Sequence, residues 1–180
     1  MRTFQLILIA ALAWGAGAAQ SFTVASYNVE NFVGPDNPQR KVKADEARKE
    51  VRGAILRLRP DVLALQEVGR LEVLEELRIA LKREGLTYPH VEFVQGPDSA
   101  ILSRFSIVVR RSHAQVFYLL GGKRFAVSRG FAEVDIQVGP EYRFTLINAH
   151  LKSKRPVPEA DQAEMRLEEA QKLRELVLER

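Results

Sequence analysis

The 180-residue sequence contains no cysteine, and this absence excludes disulfide bonds as a source of stability. Beyond residue 19 it also lacks internal repeats, low-complexity tracts and long linkers. The remaining length, about 160 residues, is enough for one domain with a sizeable hydrophobic core. We therefore expect a single domain that is held together by packing alone.

A strong excess of charge of one sign is also missing. The formal net charge is +4 and the sequence pI is about 9.5. This is mild support for an anionic partner. Because the lysines and arginines are scattered and many sit beside glutamates on predicted helices, a solvated surface explains the charge as well as a nucleic-acid footprint does.

Long hydrophobic runs are confined to the N-terminus. Arg2 precedes an apolar run over residues 4–14, and small residues follow at Gly17, Ala18 and Ala19. This order is typical of a secretory signal peptide, which we assign to residues 1–19. The run is too short for a spanning helix, so an uncleaved membrane anchor is the less favoured alternative. We expect a secreted or periplasmic protein with no stable membrane association after cleavage.

Alternating strand and helix patterns predict an α/β layer arrangement in the first half of the mature sequence. Residues 22–29 predict a strand, and residues 43–59 predict a helix that Pro60 ends. The continuous apolar run at residues 62–65 predicts a strand buried on both faces, and Gly85 ends the next helix. The two helices carry apolar stripes, formed by Ala47, Val51, Ala54, Ile55 and Leu58 in the first and by Leu71, Leu74, Leu77 and Leu81 in the second.

Short strands in succession are predicted after Tyr88. Strict alternation over residues 131–138 predicts a strand with one face wet or lining a groove. A turn at residues 139–141 then leads into a hairpin partner at residues 143–150. The final segment predicts a helix whose apolar face is formed by Ala163, Leu167, Ala170, Leu173 and Val177.

Polar side chains follow three of the apolar strands. Glu67, Asn28 and His150 each stand where a strand ends, the usual location of α/β active sites. A half-buried carboxylate needs a partner, and Mg²⁺ suits oxygen ligands. From spacing alone, Glu67 is equally consistent with a helix cap or an ion pair, Asn28 with a turn residue, and His150 with a core histidine.

The letters around these residues resemble a known family. SYNVENF around Asn28, DVLALQEV around Glu67 and NAHLKS around His150 are similar, in this order, to motifs of the endonuclease/exonuclease/phosphatase superfamily, related to DNase I. The resemblance implies part of a four-layer α/β/β/α sandwich over residues 20–180. It implies that Glu67 binds the catalytic metal, that Asn28 binds metal and the scissile phosphate, and that His150 contacts the phosphate.

Further site residues follow from the resemblance. Asp98 is expected to orient the histidine, with a surface turn as the alternative. Arg129, Asn148 and Lys152 are expected to face the substrate, although an arginine more often forms a surface ion pair and an exposed lysine is usually solvated. Gly69 stands where nucleolytic members often carry an arginine, which weakens the specific case for DNA.

The implied activity is hydrolysis of phosphodiesters or phosphomonoesters with Mg²⁺ or Mn²⁺. The family's general base is a C-terminal histidine, and its Asp-x-Asn pair also lies downstream, whereas neither motif follows Leu151 here. We therefore expect a C-terminally truncated domain that is weak or inactive as this chain. The alternatives are a non-catalytic phosphate- or nucleic-acid-binding module and a nonfunctional fragment. The substrate stays open among DNA, RNA, phospholipid and inositol phosphate.

Overall fold

The computed structural model describes residues 21–35, 40–94 and 99–180. The signal peptide assigned to residues 1–19 lies outside the described residues. The elements are β1 (Val24–Phe32), α1 (Asp45–Leu58), β2 (Val62–Val68), α2 (Leu71–Arg83), β3 (His90–Val94), β4 (Ser99–Ser103), β5 (Ser106–Arg110), β6 (Phe117–Leu120), β7 (Lys123–Ala126), β8 (Phe131–Gln137), β9 (Arg143–Ala149) and α3 (Gln162–Leu178).

The first sheet has the strand order β1-β2-β4-β3. Strands β1 and β2 are parallel neighbours, so their carboxyl ends meet at one edge. The α1 and α2 helices cover one face of this sheet, because both present apolar stripes that must leave water. The core between them contains Val51 and Ile55 of α1, four residues of α2, and the inward side chains of β1, β2 and β4.

The two stripes are buried as predicted except at their ends. Val51, Ile55, Leu74, Leu77 and Leu81 are buried. Leu58 is 68% exposed and Leu71 is 46% exposed. Both stand at helix termini, Leu58 as the last residue of α1 and Leu71 as the first of α2, where the helix extends beyond the sheet it packs on.

The second sheet has the order β5-β8-β9 and packs against the first. Strands β8 and β9 form the predicted antiparallel hairpin. Apolar side chains from both sheets fill the space between them: Val62, Val94, Ile101, Ile107, Ala132, Val134 and Ile136. With α1 and α2 outside one sheet and α3 beside the other, the chain forms the expected α/β/β/α layers.

The polar face of β8 differs from the expectation of a wet face. Glu133 is fully buried and Asp135 is 6% exposed. Arg111 donates to both carboxylates, and Arg180 and His113 also contact Glu133. Charged partners from distant positions therefore cover a face whose letters alone resemble a solvent-exposed strand.

The α3 helix packs on the β6–β7 hairpin through a face that agrees only in part with the predicted one. Leu173 of the predicted face joins that core together with Met165 and Leu176, whereas Leu167 and Val177 are 57% and 54% exposed. The reason is the buried Glu169, whose carboxylate accepts hydrogen bonds from Ser128 and from the Lys152 backbone. These bonds turn the helix. No helix among the described residues is long and apolar enough to cross a bilayer.

Candidate active site

A bulge at the end of β1 builds the site. Asn28 pairs with Gln66 and Phe32 with Val68, so residues 29–31 of β1 lie opposite the single residue 67 of β2. Glu30 has φ 46°, Asn31 has φ 53° and Glu67 has φ 64°, in the left-handed region that costs a side chain energy. Such strain concentrates at functional sites, where neighbouring contacts hold it in place.

Hydrogen bonds hold the Glu67 carboxylate in this bulge. Asn28 Nδ2 donates to Glu67 Oε1 over 3.0 Å, and the Asn31 backbone N–H donates to Oε2 over 3.0 Å. The Oδ1 atom of Asn28 accepts from the Glu30 N–H at 2.9 Å. Burial by itself raises the pKa of Glu67, but these bonds and the charges of His150 and Arg129 lower it below its ordinary value. Glu67 is therefore ionised at neutral pH.

His150 follows β9 and faces the same carboxylate. Its Nε2 atom lies 3.6 Å from Glu67 Oε1, slightly beyond hydrogen-bonding distance. Burial lowers the pKa of His150, and the positive charge of Arg129 lowers it further, while Glu67 opposes both. The imidazole is therefore neutral at neutral pH. Its buried Nδ1 atom has no hydrogen-bond partner in the described part of the chain.

Glu67 opens into a cleft of about 470 Å³, which we call the Glu67 cleft. Arg129 lies in it, with one guanidinium nitrogen donating to the Leu151 carbonyl over 3.3 Å. The cleft is lined by Asn31, Arg40, Lys41, Glu67, Arg129, Ser153 and Arg155. Within the described residues, one carboxylate lines this cleft together with four cationic side chains, which favours an anionic ligand.

Two of the predicted residues, Asn148 and Lys152, have protein groups as their hydrogen-bond partners, and a third, Asp98, is not among the described residues. Asn148 is buried, and its Nδ2 donates to the Leu65 and Ala100 carbonyls, which joins the two sheets. Lys152 Nζ donates to the Arg155 carbonyl over 3.1 Å. Their contact with substrate stays a prediction, and Asn148 has both amide protons committed elsewhere. Asp98 lies outside the described residues, so its relation to His150 stays a prediction as well.

The sequence reasoning missed several cleft residues. Asn31 stands outside the core of its motif and is not among the predicted site residues, yet its backbone N–H binds Glu67 and the residue lines the cleft. Two loops far apart in the sequence contribute the other cations: Arg40 and Lys41 come from one and Arg155 from the other. No periodic pattern connects them. One signal was available in the sequence: Arg40 and Arg155 each stand shortly after a strand that carries a motif.

The donor chemistry of the cleft fits a hard divalent cation in part. Each Glu67 oxygen accepts one hydrogen bond and retains a lone pair, which suits an oxygen-ligated Mg²⁺ or Mn²⁺. Asn28 is adjacent, although its Oδ1 already accepts from Glu30. No group of three or more histidine, aspartate or glutamate side chains suited to a metal occurs within the described residues. Glu67 is therefore the one candidate carboxylate ligand that the described cleft offers.

Comparison with known proteins shows the family to which the chain belongs. The sequence profile of the Endonuclease/Exonuclease/phosphatase family matches residues 25–179. The chain belongs to this family. No curated protein matches the sequence.

Solved structures share the fold at low sequence identity. Sphingomyelinase C from Streptomyces griseocarneus superposes with a TM-score of 0.61 at 17% identity, covering 88% of this chain and 59% of that one. SmcL gives a TM-score of 0.59 at 19% identity, covering 88% and 58%. A beta hairpin deletion mutant of beta toxin from Staphylococcus aureus gives 0.59 at 14% identity, covering 88% and 61%. The chain thus spans about three fifths of the length of these proteins.

Proposed function

We propose that the chain is a divalent-metal-dependent phosphoester hydrolase, acting on phosphodiesters, and that residues 20–180 form its catalytic domain after export. The observation that carries the proposal is the meeting of an ionised carboxylate and an arginine in one cleft lined by cations, with a neutral imidazole 3.6 Å from the carboxylate. Elements distant in sequence supply these groups, and strained backbone holds the carboxylate in place. The family membership supports the same reading.

Each side chain has a role that its contacts allow. Glu67, with Asn28 beside it, would hold Mg²⁺ or Mn²⁺, which when bound neutralises phosphate charge and stabilises the leaving oxygen. Asn28 orients the carboxylate through its 3.0 Å hydrogen bond. Arg129 binds a phosphate oxygen, and His150 faces another through Nε2. Asp98 is the proposed partner that fixes the His150 tautomer.

Turnover by these 180 residues alone is proposed to be weak. His113 is bonded to Glu133 and His90 lies on β3, so His150 is the one histidine of the sequence at the Glu67 cleft. Its place beside the phosphate leaves the attacking water without a base. A positioned base contributes roughly a hundred- to ten-thousandfold. This favours a second candidate function, a phosphate-binding module without catalysis.

The test combines binding with turnover. Calorimetry measures inorganic phosphate binding with Mg²⁺ and with a chelator, in the parent and in Glu67→Ala. We expect Mg²⁺ to tighten binding in the parent and to have no effect in the variant. Equal binding in both proteins would overturn the proposed function.

Hydrolysis of a chromogenic phosphodiester then separates the two candidates. We expect the parent rate with Mg²⁺ or Mn²⁺ to lie close to the Glu67→Ala background. The matched control is Glu92→Ala, because Glu92 lies on β3, is not a lining residue of the cleft and forms an ion pair with Arg110 of β5. Robust turnover that Glu67→Ala abolishes and Glu92→Ala retains would show that a residue of this chain serves as the base.

A further inference from the structure

We propose that the Glu67 cleft contains a second anion subsite, formed by Lys41 and Arg155, which takes a further phosphate group of the substrate. The inference deepens the proposed function by naming the substrate class. That class is a phosphoester with at least two phosphate groups, and a zwitterionic headgroup does not belong to it.

The subsite is assembled from distant parts of the sequence. Lys41 stands in the segment between β1 and α1, and Arg155 stands between β9 and α3. Arg129, from the turn before β8, lies in the same cleft. Three separate loops thus bring cationic side chains to one place, where their mutual repulsion costs energy unless an anion is bound. A lysine without a binding role would not need to lie beside arginines from two other loops.

These cations have no carboxylate partners. Within the described residues, Lys41, Arg129 and Arg155 form no ion pair. Several arginines elsewhere do form ion pairs, such as Arg52 with Glu84 at 2.6 Å and Arg104 with Asp61 at 2.8 Å. The one carboxylate of the cleft, Glu67, is already held by Asn28 and Asn31. The positive charges of Lys41 and Arg155 are therefore available to a ligand.

The size of the cleft indicates more than one phosphate. About 470 Å³ lies in the range of pockets that take a whole small ligand, roughly 300–1,000 Å³. Arg129 and His150 both act electrostatically on Glu67, so the scissile phosphate belongs beside these three residues. Lys41 and Arg155 are exposed, line another part of the Glu67 cleft and make no ion pair with Glu67. A second phosphate in the same molecule would engage them.

The lining also excludes a choline-type headgroup. Quaternary ammonium groups are recognised by aromatic side chains. None of the residues that line the described cleft is aromatic or aliphatic, and four of them are cationic. A cationic headgroup would meet repulsion there. The chain thus differs in the expected ligand from the sphingomyelinase whose fold it shares.

The experiment compares two ligands that differ by one phosphate. Calorimetry with Mg²⁺ measures binding of a thymidine dinucleotide with and without a 5′-phosphate. In the parent we expect the added phosphate to tighten binding about tenfold, equal to about 1.4 kcal/mol. In the Lys41→Gln/Arg155→Gln double variant we expect the two affinities to agree within about twofold, since both contacts are lost.

The matched control is Lys49→Gln/Arg57→Gln, which removes the same charge from exposed positions on α1. We expect it to keep the tenfold difference. Equal affinities in the parent, or an equal loss in the control, would overturn the subsite. Phosphocholine that binds the parent as tightly as the phosphorylated dinucleotide would overturn it as well.

Two further measurements are added. The first distinguishes a nucleic acid from another source of the second phosphate, and the second distinguishes failure of the proposed function from failure of the subsite. An inositol bisphosphate that matches the phosphorylated dinucleotide shows that the subsite reads phosphate groups and not a nucleic acid strand. Glu67→Gln should weaken the binding of both dinucleotides equally, so that the ratio of their two affinities is preserved. If Mg²⁺ and Glu67 have no effect while the ratio remains, the proposed function fails and the subsite stands.

Discussion

Two carboxylate sites in this molecule have opposite electrostatic character. In the Glu133 cluster, formed by Glu133, Asp135, Arg111, His113 and Arg180, every charge has a partner. The Glu133 side chain is 0% exposed, and despite its burial the hydrogen bonds from Arg180, His113 and Arg111 lower its pKa to about 2. In the Glu67 cleft the carboxylate is 21% exposed and accepts from two neutral N–H groups.

This difference separates a structural site from a binding site. Judged by residue types, the Glu133 cluster resembles a reactive group, because it contains two carboxylates and a histidine. Its charges cancel within the protein, so it offers little to a ligand. The Glu67 cleft leaves Lys41, Arg129 and Arg155 without carboxylate partners in the described residues and holds Glu67 in strained backbone. Such incomplete internal pairing is what a ligand can complete.

The largest expected effect is on the Glu133 cluster. Arg111→Met removes a guanidinium that serves both Glu133 and Asp135, and leaves two buried carboxylates with fewer donors. We expect the free energy of unfolding to fall by about 3 kcal/mol, at the lower end for a broken buried pair, because His113 and Arg180 still contact Glu133. Urea denaturation measures the change.

The control for this prediction lies in the other region. Arg129→Met at the Glu67 cleft removes an arginine that makes one hydrogen bond to a backbone carbonyl. We expect a loss of about 1 kcal/mol or less. If the two variants are equally stable, the charges of the Glu133 cluster are not structural and the comparison fails.

Much of the architecture could be predicted from periodicity and motifs. The alternation of β8, the turn after it and the α1 and α2 stripes gave correct elements, because burial imposes periods of 2 and 3.6. Asn28, Glu67 and His150 follow strands that pack side by side or face to face, so their strand-end positions bring them together.

The rest depends on contacts that no local pattern encodes. The burial of Glu133 depends on Arg111 and Arg180, which are far from it in sequence. The Asn31 contact depends on a bulge in which three residues of β1 oppose one of β2. The face of α3 was predicted only in part: Leu173 is packed, but the helix also buries Glu169, and a stripe of apolar letters cannot indicate a buried charge.

Acid should affect the Glu133 cluster next most strongly. The pKa of Glu133 is about 2 in the folded chain against an ordinary 4.5, so its ionised form contributes stability above pH 4.5. That contribution is lost as pH falls from 4.5 through about 2, because the unfolded chain binds the proton first. The shift corresponds to roughly 3 kcal/mol.

Urea midpoints from pH 6 to pH 2 in the parent and in Glu133→Gln measure this contribution. We expect the variant to be less stable at pH 6 and the difference to shrink progressively towards pH 2. A difference that is independent of pH would mean that the charge of Glu133 contributes nothing and that the glutamine acts through packing alone.

The smallest effect on stability is expected from the same isosteric change at the other carboxylate. Glu67→Gln retains an oxygen that accepts from Asn28 or Asn31 and keeps the strained φ of 64°, so we expect the unfolding free energy to change by about 1 kcal/mol or less.

Mg²⁺ binding, in contrast, should be lost in the same variant. One carboxylate beside an amide leaves most of the coordination to water, so we expect weak binding in the parent and none in the variant. Calorimetry with MgCl₂ on both proteins, alongside Glu133→Gln, measures the contrast. Equal Mg²⁺ binding by the parent and Glu67→Gln would eliminate Glu67 as a ligand, and a large loss of stability would place Glu67 with Glu133 among the structural carboxylates.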